Sequence, residues 1–235
     1  METLKTYFPY GPPIGYAKLP DELVNDFNKG CDDIIKDEEL LKSEDHSPHL
    51  VGQVEQELLL PKDIVNKWGK WFGTQVRAYV SGYFDQFAIP EQTIFTASKE
   101  QALRAVNNIQ TIFISAWYIR SFAGDYNHIH THMGCELTCV GFLKVPDLSK
   151  ERKKYDAKFK NNHGPNGTLE ILNNTGSTEN FSWEKDNIGF FPKVGNWYLF
   201  PANLRHTVYP FKCDGERRSF SINMSTNIFK DITDK

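Results

Sequence analysis

Apolar residues in the first half of the chain recur every three or four positions, which is the spacing of a helix with one buried face. Asp21 and Glu22 open the first such run, and acidic residues favour the first turn of a helix. A longer run follows, with apolar positions at Ile64, Val65, Trp68, Phe72, Val76, Tyr79, Val80 and Tyr83. The pattern predicts two amphipathic helices, with the charged segment 36–48 looping outward between them. Ser98 and Gln101 resemble the capping box of a third helix.

From residue 110 onward the chain changes to short runs of β-branched and aromatic residues divided by turns. The predicted strands span residues 111–122, 127–132, 137–145, 168–172, 196–200, 206–209 and 219–224. The polar stretch at about 147–185 is interpreted as a solvated insertion. Helices followed by many short strands are typical of a mainly β fold with α-helices against one face. We therefore expect a single domain over residues 1–235, with residues 1–109 as a mostly helical support region and residues 110–227 as a jelly-roll core.

The composition narrows the class of protein further. Hydrophobic residues make up 40% and aromatic residues 14% of the chain, as in a globular domain, and the formal net charge of −3 argues against a nucleic-acid or membrane-surface binder. The N-terminus lacks the basic start and apolar run of a signal peptide, so we expect a cytoplasmic protein. Cys31, Cys135, Cys139 and Cys213 form no CxxC pair and are interpreted as small buried thiols.

Histidines provide the strongest chemical signal. His128, His130 and His132 stand at alternate positions in one short run, and His206 follows far downstream. Alternate side chains of a strand point to the same face, and imidazole binds iron, copper, nickel and zinc. The pattern predicts a metal site made by His130, His132 and His206. The pair His128 and His130 satisfies the same alternation, and both Glu136 and Cys135 lie close enough in sequence to join the site.

The last predicted strand alternates between polar and apolar residues. If this strand is half buried, Arg217, Ser219 and Ser221 point together into the site. A guanidinium can give two hydrogen bonds to one carboxylate, and a neighbouring hydroxyl adds a third. The alternative is that Arg217 lies on the surface and pairs with Glu216. Arg218, on the opposite face, is expected to be the residue that faces solvent.

The order of these residues resembles the Fe(II)/2-oxoglutarate-dependent oxygenases. The resemblance rests on Gly124, Asn127, His130-Thr131-His132, the run 138–146, Gly195, Phe200-Pro201, His206, Arg217, Ser219, Ser221 and Asn223. It is closest to a branch of 2-oxoglutarate oxygenases from phages and marine bacteria that is distantly related to prolyl hydroxylases. The superfamily places a carboxylate two residues after its first histidine ligand, whereas this chain has His132 there.

The resemblance implies a double-stranded β-helix and a metal-binding dioxygenase. Iron would bind to His130, His132 and His206, and Arg217 with Ser219 would hold the far carboxylate of 2-oxoglutarate, the co-substrate. Asn127 would border the other end of the co-substrate or the substrate, as could Trp117, Tyr118 or Arg120 on the preceding strand.

The implied reaction consumes 2-oxoglutarate and dioxygen, hydroxylates an organic or peptidyl side chain such as proline, and releases succinate and carbon dioxide. No nucleic acid or membrane partner is expected, a homodimer is allowed, and a viral protein would act in the host cytoplasm. Two alternatives stay open. One is a cupin-type metal enzyme that holds its metal with three histidines, with or without Glu136 as a fourth ligand, and needs no 2-oxoglutarate. The other is a non-catalytic jelly-roll module.

Overall fold

The computed structural model describes residues 4–7, 12–87, 104, 106–149, 153, 166–172 and 187–227. Its helices are α1 (Asp21–Lys36), α2 (Glu38–Ser43), α3 (Lys62–Phe87) and a 3₁₀ turn at Ser47–His49. Its strands are β1 (Lys5–Tyr7), β2 (Ile14–Lys18), β3 (Gly52–Gln53), β4 (Gln56–Leu59), β5 (Thr111–Ser121), β6 (Tyr126–His130), β7 (Leu137–Lys144), β8 (Leu169–Leu172), β9 (Asn187–Phe190), β10 (Asn196–Pro201), β11 (Arg205–Val208) and β12 (Arg217–Thr226).

The strands form two antiparallel sheets. The larger sheet has the order β1-β2-β10-β7-β12-β5-β4, and the smaller one has the order β3-β6-β11-β8-β9. Most neighbouring strands in each sheet are not consecutive in the sequence, as in a jelly roll, where the chain crosses repeatedly between the two layers. The prediction of a mainly β fold with helices, built as a jelly roll or double-stranded β-helix, is confirmed.

Helices α1 and α3 cover the outer face of the larger sheet. The Phe27 ring of α1 lies 4.7 Å from the Phe220 ring of β12, and the Trp71 ring of α3 lies 5.3 Å from the Trp197 ring of β10. These rings belong to one large buried cluster, whereas a smaller cluster that includes Phe142 lies between the two sheets. The two predicted amphipathic helices are confirmed, and burying such rings is worth roughly 1.5–3 kcal/mol each.

Several predictions about the first half and the insertion were wrong in detail. Strands β1 to β4 all come from the half that was predicted to be mostly helical, and segment 36–48 contains the exposed helix α2. Strand β8 was predicted at 168–172, but it is an inner strand of the smaller sheet, so part of the supposed insertion at 147–185 belongs to the core. Strands β1 to β4 have two to five residues, too few for a periodic pattern to stand out. The capping box at Ser98 and Gln101 lies outside the described residues.

The state of the cysteines and the apolar character of the helices complete the description of the fold. None of the four cysteines forms a disulfide; Cys31 and Cys139 are buried as predicted, whereas Cys135 and Cys213 are half-buried. Among the helices that the structure describes, none combines the length and the apolar character needed to cross a bilayer.

Candidate functional site

Three histidines converge between the two sheets. One side-chain nitrogen from each of His130, His132 and His206 lies within 4.8 Å of the others, and the Nε2 atoms of His132 and His206 are 3.2 Å apart. The Nδ1 atom of His206 lies 2.9 Å from the Leu204 carbonyl oxygen, so an Nδ1–H donates there and leaves the Nε2 lone pair free. Such backbone contacts orient imidazole ligands in metal sites. The arrangement could hold a metal ion.

The local structure explains how these residues meet. His130 is the last residue of β6 and is paired directly with His206 of β11. His132 lies beyond the end of β6, where its backbone N–H donates to the Ala202 carbonyl at 2.8 Å. Strand alternation alone therefore does not explain the position of His132, because a backbone hydrogen bond beyond the end of β6 holds it in place.

An irregularity in the pairing of β6 with β11 gives Asn127 and His128 different environments. Strand β11 pairs His206 with His130 but Val208 with Asn127, so one extra residue is accommodated in β6. As a result Asn127 is buried and lines the cavity, whereas His128 is exposed and packs its ring against Tyr126. The alternative metal pair His128 and His130 does not form.

Burial keeps the three imidazoles neutral. It lowers the pKa of His206 to about 3 and of His132 to about 4, and the neighbouring histidines lower both pKa values further. Burial also lowers the pKa of His130. A neutral imidazole is the form that binds a cation, so near neutral pH no proton competes with a metal at these residues.

This burial has a consequence for the metal-free protein, whose stability is expected to fall between about pH 7 and about pH 5. An unfolded histidine takes up a proton near pH 6.5, whereas His206 in the native state does so only near pH 3. The native state thus binds fewer protons over this window, and the free energy of unfolding decreases as pH falls. His206 alone should contribute about 2 kcal/mol of this loss by pH 5. Urea unfolding at both pH values should show a smaller loss in His206→Gln; equal losses in wild type and variant would contradict the expectation.

Arg217 is buried without a partner. Only 1% of its surface is exposed, its guanidinium lies 5.1 Å from the centre of the Phe142 ring, and none of its three nitrogens has a hydrogen-bond acceptor among the described residues. Burial lowers the pKa of Arg217 to about 10. The alternative pairing with Glu216 was wrong, because that carboxylate accepts from Arg120 and Arg218 instead. An unpaired buried charge is costly, so the guanidinium is complementary to an anionic ligand.

The prediction that Arg218 faces solvent was also wrong. Its side chain is 1% exposed and lies beneath α1, where it donates to the Asn28 side chain at 3.1 Å and pairs with Asp32 at 2.8 Å. Both faces of β12 are covered, one by the cavity and the other by the helices. Alternation located the two faces, but it could not reveal that the second one was buried.

A cavity of about 460 Å³ contains the histidines and Arg217 together. Strand β12 contributes Arg217, Ser219, Ser221 and Asn223 to the cavity lining, as the alternation of this strand predicted for the first three. Asn127 of β6 also lines the cavity. Trp117 stacks on the His132 ring at 5.7 Å, whereas the Tyr118 ring packs against Phe27 on the helix side of the sheet. Arg120 pairs with Glu216 and with Gln56, so neither Tyr118 nor Arg120 borders the cavity.

Some cavity residues carried no signal in the sequence. Glu57 of β4 lines the wall and is 1% exposed, and His46 and His49 lie at the mouth with their rings 5.1 Å apart. Burial raises the pKa of Glu57 to about 7, a hydrogen bond from the Asn127 side chain lowers it, and the charge of Asp45 raises it. A carboxyl group in a short strand cannot be assigned to a cavity until the pairing of that strand is known.

Glu136 does not belong to the site. Its carboxylate accepts from the Thr226 backbone N–H at 2.8 Å and from the Thr226 hydroxyl at 2.7 Å, so it fastens the end of β12. Within the described residues, neither Glu136 nor Cys135 joins the group of possible ligands around the three histidines. The four-ligand arrangement of a cupin is therefore not formed.

The donor set fits a divalent transition metal, and the unpaired guanidinium fits a dicarboxylate in the same cavity. Residues 115–223 match the model of a family described as "Putative 2OG-Fe(II) oxygenase". The matched residues are just under half of the chain, and together with the three converging histidines they support a 2OG-Fe(II) oxygenase, an oxidoreductase that uses Fe(II) and the co-substrate 2-oxoglutarate.

Solved structures share the fold of this chain. A prolyl-4-hydroxylase from Pseudomonas putida is 12% identical with a TM-score of 0.52, over 90% of this chain and 91% of that chain. The non-heme α-ketoglutarate-dependent carbocyclase SnoK of nogalamycin biosynthesis is 10% identical with a TM-score of 0.50, over 90% of this chain and 78% of that chain. No match appears among the curated proteins.

Proposed function

We propose that the oxygenase hydroxylates an organic substrate, with Fe(II) held by His130, His132 and His206 and with 2-oxoglutarate anchored by Arg217 and Ser219. The observation that carries the proposal is the unpaired, buried guanidinium of Arg217 in the cavity that also contains the three histidines. A structural arginine would have protein acceptors, as Arg218 does. Arg217 instead has a ligand-sized space before it.

Support for the metal site comes from the chemistry of the three side chains. The imidazoles are neutral and buried, and the Leu204 carbonyl holds His206 in the tautomer that leaves Nε2 free. Three neutral ligands leave a divalent ion with its full charge, whereas the usual carboxylate would reduce that charge by one. A dianionic co-substrate is therefore well matched to this site electrostatically.

Support for the co-substrate site comes from the larger sheet. Arg217 and Ser219 stand two residues apart on β12, so both side chains point to the same face. Phe142 covers one side of the guanidinium and shields it from water, which strengthens a hydrogen-bonded ion pair with a carboxylate. Asn127 lines the same cavity and is proposed to contact either the co-substrate or the substrate.

When bound, Fe(II) supplies the oxidising chemistry: dioxygen and 2-oxoglutarate give succinate, carbon dioxide and a hydroxyl group on the substrate. The task of the chain is to orient both organic molecules and to exclude water. Trp117, Val140 and Leu169 supply apolar wall to the cavity for this purpose. A peptidyl or prolyl side chain is the substrate that the sequence resemblance favours, and the phage-type branch stays a prediction of the same origin. The cytoplasmic location stays a prediction from the N-terminal sequence.

The direct test is release of succinate from 2-oxoglutarate by purified protein supplied with Fe(II) and ascorbate. We expect succinate formation even without the primary substrate, at a low rate, and its loss when a chelator removes the metal. Metal content measured on anaerobically purified protein provides the parallel observation. Absence of both bound metal and succinate would refute the proposed function.

A further inference from the structure

Glu57 is an acid in the cavity wall for which the reaction above has no role. It lies on β4, at the edge of the larger sheet, and receives a hydrogen bond from Asn127 on β6 of the smaller sheet. This contact joins the two sheets at one side of the cavity. The second carboxyl oxygen, Oε2, is buried and has no hydrogen-bond partner within the part of the chain that the structure describes.

No cation balances Glu57 among the described residues. The charged group that acts on it most strongly is Asp45, which has the same sign, and the residues beside it at the mouth are His46 and His49. Burial therefore disfavours the ionised carboxylate, and the pKa of Glu57 rises to about 7. A ligand that brings a positive charge and N–H donors would satisfy both the missing charge and the unpartnered oxygen.

The position of Glu57 separates it from the co-substrate. Strand pairing places Glu57 opposite Ile119, and Ile119 opposite Ser219, so the three residues form one row across β4, β5 and β12. Neighbouring strands are about 4.8 Å apart, which puts Glu57 roughly 10 Å from Ser219 along this row. Since Glu57 also has the same charge as a carboxylate of 2-oxoglutarate, we assign it to the part of the cavity left for the primary substrate.

The charge of the loaded cavity favours an ionised Glu57. A divalent ion with three neutral imidazoles, a dianionic co-substrate and Arg217 sum to about +1, which favours the ionised carboxylate of Glu57, the form that accepts hydrogen bonds from an amine. The cavity lining also includes exposed apolar residues: Val51 is 47% and Met133 is 89% exposed. An alkyl chain that ends in a cation fits such a cavity, because its methylene groups can contact the apolar residues while its charged end contacts the carboxylate of Glu57.

We propose that Glu57 binds a protonated amine or guanidinium of the primary substrate and thereby selects the C–H bond that is presented for oxidation. This inference rests on the proposed function, because it presumes that the metal and 2-oxoglutarate occupy the other parts of the cavity. Glu57 is thus a specificity-determining residue, and the substrate class is a basic one, such as a molecule or peptide with an amine-bearing side chain.

Binding of a matched pair of small probes tests the inference. Anaerobic protein loaded with Fe(II) and 2-oxoglutarate is titrated with n-butylammonium and, separately, with n-butanol, and the dissociation constants are measured by NMR. Wild type should bind n-butylammonium about tenfold more tightly than n-butanol, because the hydrogen bond to a carboxylate is charge-assisted. Glu57→Gln should abolish that preference. Glu55→Gln removes an exposed acid two residues away that does not line the cavity, and it should retain the preference.

Each result has one interpretation. Equal binding of both probes by wild type overturns the assignment of Glu57. This test needs no variant, so it remains decisive even if Glu57→Gln does not fold. A preference that persists in a folded Glu57→Gln protein overturns it as well. The affinity for 2-oxoglutarate is measured on the same samples: wild type that fails to bind 2-oxoglutarate refutes the proposed function, whereas normal 2-oxoglutarate binding with no probe preference refutes only the role of Glu57.

Discussion

Replacing Arg217 with methionine is expected to weaken 2-oxoglutarate binding at least about 100-fold while leaving the ligand-free protein equally stable or more stable. The two effects have opposite signs for one reason. In the empty cavity the guanidinium is buried without an acceptor, so an apolar side chain of similar length removes a desolvation cost. With 2-oxoglutarate present, the same substitution leaves a buried carboxylate without its cation.

Calorimetry with 2-oxoglutarate and thermal unfolding without it measure the two effects. Arg205→Met is the matched control, because Arg205 is an exposed arginine on β11 beside the histidine cluster but outside the cavity lining. The control should bind 2-oxoglutarate as wild type does. Unchanged affinity in Arg217→Met would show that the co-substrate carboxylate lies elsewhere, and a large loss of stability in the ligand-free variant would indicate a structural role for the guanidinium.

Replacing either His130 or His132 with alanine is expected to reduce Fe(II) affinity at least about 100-fold and to abolish succinate formation. Loss of residues that merely orient metal ligands already costs 10–100-fold in affinity, so loss of a ligand costs more. Anaerobic titration with Fe(II) gives the affinity, and the succinate assay gives the activity. Both imidazoles lie within 4.8 Å of the His206 ligand atom, so each removal should have a similar effect.

His128→Ala is the control for these variants. His128 belongs to the same run and precedes His130 by two residues, but the irregularity in β6 leaves it exposed. It should retain both metal binding and succinate formation. Loss of metal in His128→Ala with retention in His132→Ala would mean that the other pair of the run binds the ion, against the geometry of the structure.

Long-range periodicity in the sequence was enough to predict the helices and most of the second-half strands. Helix α3 has 26 residues and β12 has 10, so their patterns repeat often enough to fix which side is buried. The inward direction of Arg217, Ser219 and Ser221 followed from the same alternation. The short strands β3 and β4 show no such repetition, and their existence depends on pairing with β6 and β5.

The errors at the site have the same physical origin. The burial of Arg218 depends on α1, which is about 190 positions away in sequence at Asn28. The inward position of Asn127 depends on an irregular pairing with β11, and the cavity position of Glu57 depends on its register with Ile119. The sequence thus predicted the chemistry of the site through residue type and order, whereas contacts between distant segments decided which neighbours complete it.

The distribution of the ligand-binding groups over the two sheets has a mechanical consequence. His130 and His206 belong to the smaller sheet, and Arg217 and Ser219 belong to the larger one. A co-substrate held at one end by the ion and at the other by the guanidinium would brace the two layers against each other. Bound 2-oxoglutarate is therefore expected to stabilise the packing of the two sheets in addition to supplying the reaction.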